Sequence, residues 1–179
     1  MGSRQNAQRE WQLLSWWLAT FHPHFDELWM NVRVGPTQLL PGTPFTQAFA
    51  NMARVRNRWA DAVFSENGQL NLVEAKMEPS PGIYSTLVHY ARKIRSDVTF
   101  SRFSNAPLNL IALVARDDAS VAMEAPWYQV QWIVYQPSFL TEQQTATLGN
   151  LAGGPSPPLP QDFLTRVSLF TGKPVSVIS

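Results

Sequence analysis

The chain has 179 residues, enough for one domain with a full hydrophobic core and some appended structure. Charged residues make up 15% of it and the formal net charge is +1, so bulk electrostatics do not mark a nucleic-acid binder and any polyanion contact must come from a local patch. The absence of cysteine excludes disulfides and thiolate metal sites and fits a reducing compartment. The first ten residues are polar and carry no secretory pattern. Residues 6–20 read as an amphipathic helix, with Leu14, Trp17 and Phe21 on one stripe and Trp11 and Leu18 beside it. The apolar run from Trp11 to Phe21 falls far short of the roughly 20 residues a membrane-spanning helix needs, so a cytoplasmic protein without a membrane partner is expected. Glu10 lies four residues before Leu14, on the same inward stripe. Residues 28–34 read as a first strand, and residues 35–46, with three prolines, as a loop.

Two apolar strands flanking Asn67-Gly68 come next, the strongest short hairpin signal. With Asn67 and Gly68 as the loop, Glu66 pairs with Gln69 and every later pair of positions sums to 135, which sets Asp61 opposite Glu74. Lys76 lies two residues beyond Glu74 on the same face, roughly 6–7 Å along the strand, facing Trp59. Val63, Leu70 and Leu72 share that face. Ala60, Ala62, Phe64, Val73, Ala75 and Met77 are expected on the other. Two carboxylates opposed at Cβ separations of about 4.5–5.5 Å repel. Either Lys76 or a hard divalent cation offsets that repulsion, the cation typically with substrate phosphate oxygens and water as further ligands. A buried salt bridge among Lys76 and the two acids is the purely structural alternative.

Ser80 and Pro81 read as an N-cap and a first-turn proline opening a helix over residues 80–96. Ile83, Leu87, Tyr90 and Ile94 form its buried stripe, and His89, Arg92, Lys93 and Arg95 fall elsewhere on its surface. Residues 108–115 and 128–135 are apolar and aromatic runs that read as strands. A short polar helix over residues 141–148, a stiff proline-rich linker over residues 153–160 and a terminal strand within residues 163–178 complete a C-terminal extension, residues 137–179. Arg54, Arg56 and Arg58 would form a basic strip on the face away from Asp61 and Glu74. His22 and His24 flank a proline and lack a third ligand at zinc spacing. No Gly-rich phosphate loop, nucleophile elbow, helix-turn-helix or zinc finger is present.

Asp61 on one strand, followed by Glu74-Ala75-Lys76 on the next, resembles the PD-(D/E)XK nuclease superfamily over residues 58–95. Ala60 stands in place of the proline in the family name, which has no chemical role. The resemblance implies an α/β, restriction-endonuclease-like αβββαβ core over residues 1–136, a mixed central sheet flanked by helices; the order of the elements agrees with it. It further implies Mg²⁺ or Mn²⁺ held by Asp61 and Glu74, with Lys76 orienting or activating water at a DNA phosphodiester. In some members a first-helix glutamate completes the metal site, which makes Glu10 a candidate third carboxylate; an ordinary first-turn acidic residue favoured by the helix dipole is the alternative. Some members carry Gln and, four residues on, Tyr in the helix after the motif; Tyr90 matches the tyrosine and Thr86 takes the place of the glutamine. Arg92, Lys93 and Arg95 are candidate DNA contacts, or a solvated basic face.

A second expectation comes from a different class: a structural subunit of a large assembly, such as a phage head-to-tail or virion protein, with a nuclease-like fold and little or no activity. Near-neutral charge, aromatic richness and a proline-rich tail suited to self-association or to other subunits motivate it. A nuclease partner of a separate target-selecting protein is a third possibility.

Overall fold

The structure is a computed structural model and describes residues 2–34, 59–137 and 159–171. Its elements are α1 (Gly2–Phe21), β1 (Glu27–Arg33), β2 (Trp59–Glu66), β3 (Gln69–Lys76), α2 (Gly82–Ile94), β4 (Leu108–Val114), the short α3 (Ala119–Ala122), β5 (Val130–Val134) and α4 (Gln161–Thr171). The five strands form one mixed sheet in sequence order. β1 through β3 run antiparallel, and β3, β4 and β5 run parallel, each joined by a crossover.

Apolar residues on both faces of the central strands dictate the layering, because a sheet hydrophobic on both sides must be covered on both. On one face Leu13, Leu14, Trp17 and Leu18 of α1 pack with Phe64, Val73, Ala75, Ile111 and Leu113, joined by Phe163 and Val167 of α4. On the other, Ile83, Tyr84, Leu87, Tyr90 and Ile94 of α2 pack with Val63, Leu70, Leu72, Leu110, Ala112 and Val114. The stripe expected on the second helix is therefore the one that is buried. Its start differs by a position: Pro81 is the N-cap, without a side-chain cap, and Ser80 contributes its carbonyl to the Ile83 amide.

The β2–β3 hairpin has the register obtained by counting from Asn67-Gly68, from Glu66↔Gln69 through Ala62↔Val73. Asn67 (φ 52°) and Gly68 (φ 73°) both occupy the left-handed region, as the tight hairpin turn that matches strand twist requires. A Cβ added at Gly68 would meet nothing within 4 Å, so Gly68→Ala carries only the backbone penalty. Urea unfolding is expected to register a loss of about 1 kcal/mol.

Three expectations are corrected. The terminal strand within residues 163–178 is, in its described part, the helix α4: Phe163 and Val167 lie one helical turn apart and both are buried, a 3.6-residue stripe that β-branched composition had masked. The last strand is shorter than residues 128–135, because Ala125–Tyr128 forms a 3₁₀ turn and Gln129 turns at φ 55° before β5 begins. Ala60 packs with Val63 on the α2 face, not with Ala62. Strict alternation breaks at Asp61, beside the point where Met30↔Ala62 and Val32↔Ala60 bracket Asn31 at φ 48°. The loop over residues 35–46, the arginines at 54, 56 and 58, the helix over residues 141–148 and most of the proline-rich linker lie outside the described residues. Among the described residues no helix is long and apolar enough to cross a membrane.

Candidate functional site

Beyond Ala62↔Val73 the hairpin opens, and its backbone partnership passes to a side chain: Asp61 Oδ2 accepts the Ala75 amide proton at 2.8 Å. That bond fixes one Asp61 oxygen at the end of β3. Lys76 sits on the last rung of β3, opposite Val114 of β4. Its Nζ lies 3.1 Å from Glu74 Oε1, 3.5 Å from Glu10 Oε2 and 3.9 Å from Asp61 Oδ2, and it also donates to the Ala75 carbonyl at 2.9 Å. Thus Asp61, Glu74, Lys76 and Glu10 lie together at the end of the sheet where β3 finishes, although the ladder stops short of the Asp61–Glu74 and Trp59–Lys76 pairs that counting gives.

The cluster is semi-enclosed. Only 9% of the Glu74 side chain is exposed, against 30% of Lys76. Glu74 Oε1 faces the ammonium, while Oε2 is buried with no hydrogen-bond partner among the described residues. Three carboxylates around one ammonium leave an excess of negative charge, and proton affinities rise accordingly. Burial and the neighbouring Asp61 push Glu74 up to about 7, with Glu10 adding to the rise and Lys76 opposing it. Burial also raises Asp61, against the pull of Lys76 and the Ala75 amide, and raises Glu10 against Lys76. For Lys76, burial alone would lower the value, but Glu74, Asp61 and Glu10 outweigh it and hold the ammonium above its ordinary range.

Two means of relieving this charge exist: a proton shared among the acids, or a cation that takes up the free Glu74 oxygen. Among the described residues no group of three or more acidic or histidine side chains is arranged to hold a metal ion; the carboxylates gather on the Lys76 ammonium instead. The donor set nonetheless fits a hard divalent cation, which prefers carboxylate oxygens, and Oε2 is an oxygen already desolvated and unshared.

The two basic residues at the end of α2 and the C-cap Arg95 sit elsewhere. Since α2 connects the parallel strands β3 and β4, it runs back along the sheet, and its C-terminal turn lies at the end where β4 starts. Arg92, Lys93 and Arg95 are thus remote from Lys76. Arg95 is also engaged structurally, its Nη1 donating to the carbonyls of Phe103 and Ser104 at 2.8 Å each. Tyr90 is buried and donates its hydroxyl to the Trp59 carbonyl at 2.7 Å, tying α2 to the start of β2. His22 bonds Glu66 Oε2 through Nδ1 at 2.7 Å, away from this cluster. Sequence reasoning did not single out Arg116 or Glu78, which form an ion pair at 3.5 Å just past the ends of β4 and β3. The parallel register that joins those strands is the signal that brings them together.

No protein-family model, curated protein or solved structure matches the chain.

Proposed function

We propose that this chain is a metal-dependent DNA phosphodiester hydrolase of PD-(D/E)XK type, with its α/β sandwich built on a restriction-endonuclease-like αβββαβ core. One observation carries the proposal: a nearly buried Glu74 with an unpartnered oxygen stands beside Asp61 and Lys76 at the open end of a hairpin. A purely structural ion cluster gains nothing from leaving a buried carboxylate oxygen without a partner, which costs about 1–3 kcal/mol or more for a charged group.

Asp61 and Glu74 would hold Mg²⁺ or Mn²⁺, with Glu10 as a third carboxylate. The bound metal supplies Lewis acidity at a phosphoryl oxygen and a bound water of lowered pKa. Asp61 is pre-oriented by the Ala75 amide and needs no rearrangement of its backbone. Lys76, anchored at the Ala75 carbonyl, directs an ammonium into the same space, where it positions the attacking water and stabilises charge that develops on the phosphoryl group. Glu10 holds Lys76 from the α1 side.

Wild-type protein should cleave supercoiled, linear or branched DNA in Mg²⁺ or Mn²⁺, and calorimetric titration with Mn²⁺ should give binding heat that Glu74→Ala loses. Intact DNA in every case, with identical heats for the two proteins, would remove the proposal. A second function is favoured by the way all three carboxylates gather on Lys76. That arrangement gives every carboxylate a contact with the ammonium without a metal and suits an inactive, nuclease-like subunit of a large assembly. The same titration separates the two, since the structural subunit takes up no Mn²⁺ at Glu74.

A further inference from the structure

We infer that Arg116 binds a backbone phosphate of the DNA strand next to the scissile position, and that Glu78 holds its guanidinium until the phosphate replaces it. The inference rests on the hydrolase proposal and extends it to substrate recognition. Lys76 pairs with Val114 in the parallel ladder, and the Ala115 amide bonds the Lys76 carbonyl at 3.0 Å. Glu78 and Arg116 each lie two residues past that rung, in the bends where β3 and β4 end, and their 3.5 Å contact joins the two chain segments leaving the same end of the sheet as Lys76.

Charge gives this position its use. Three carboxylates around one ammonium repel an approaching polyanion, and Arg116, once released from Glu78, supplies a guanidinium at that end of the sheet, while neighbouring Asp117 accepts the Trp132 indole proton and Asp118 caps α3. Arg116 is 53% exposed and its partner Glu78 77%, so both are within reach of a ligand. An exposed pair of this kind holds weakly, whereas a guanidinium grips phosphate through parallel N–H donors. Exchange of the Glu78 carboxylate for a phosphate oxygen is therefore favourable.

Binding of a fluorescent phosphorothioate duplex in Mg²⁺, followed by anisotropy across a salt series, tests the inference alongside KM and kcat on ordinary duplex. Arg116→Ala is expected to weaken binding and raise KM about tenfold, leave kcat unchanged and reduce the salt slope by about 1. Glu78→Gln should do the opposite and tighten binding, because it releases the guanidinium. Unchanged affinity and slope in Arg116→Ala, or equal weakening by both variants, would overturn the inference. Wild type that binds with this charge dependence yet never cleaves would keep Arg116 as a phosphate ligand and remove the hydrolase proposal. Wild type that neither binds nor cleaves removes both.

Discussion

Lys76→Met is expected to lower the turnover of DNA cleavage by about 10²–10³-fold, the usual loss when one preorganised donor to developing charge is removed. Methionine keeps most of the aliphatic length and deletes only the ammonium, so packing around the stem is preserved. The deletion leaves Glu10, Asp61 and Glu74 without the cation on which they converge at 3.1–3.9 Å. In metal-free buffer the variant should lose about 3–5 kcal/mol of stability, as happens when one partner of a buried ion pair is removed. Mg²⁺ should restore much of that loss, because a cation bound only by the folded chain stabilises it by mass action. Thermal unfolding with and without Mg²⁺, beside the cleavage assay, reads both effects. An inactive structural subunit would show the stability loss without metal rescue, and full activity in the variant would exclude Lys76 from the chemistry.

Glu74→Gln should stabilise the metal-free protein at alkaline pH while it abolishes metal uptake. Glu74 titrates at about 7 in the folded chain against an ordinary 4.5. Between those values the folded state binds the extra proton, so stability falls as pH rises from about 4.5 to about 7 and stays low above. The difference corresponds to about 3 kcal/mol. The glutamine variant has no proton to lose and should be more stable than wild type by about that amount at pH 8, with little difference near pH 4.5. Urea unfolding at several pH values in EDTA checks it. Parallel curves for the two proteins would show that Glu74 carries no such penalty.

The central part of this molecule was legible because its determinants are local. Asn67-Gly68 supplies two left-handed residues in succession, and once the turn is placed, counting alone puts Asp61 across from Glu74. The stripe placed Glu10 on the inward side of α1 with Leu14, and only the family resemblance linked it to the site, where it meets Lys76. What escaped was set by packing between distant elements. Ala60 changes sides next to the break in pairing opposite Asn31, a residue of another strand. α4 was hidden because Val167 and its β-branched neighbours weigh towards strand, whereas the buried pair Phe163 and Val167 makes sense only against the α1 face. The remoteness of Arg92, Lys93 and Arg95 follows from the crossover direction of α2, a topological fact that no count along the helix contains. The Asp61 contact with the Ala75 amide depends on the hairpin opening, which pairing rules alone would not foresee.

Among the described residues β1 is the outermost strand on its side of the sheet, a place where an unpaired row of amides and carbonyls can recruit a strand from another molecule. Asn31, twisted to φ 48° in the middle of that strand, breaks the regular spacing such a visitor would need. An irregularity of this kind is one of the ways an edge strand is kept from pairing with another chain.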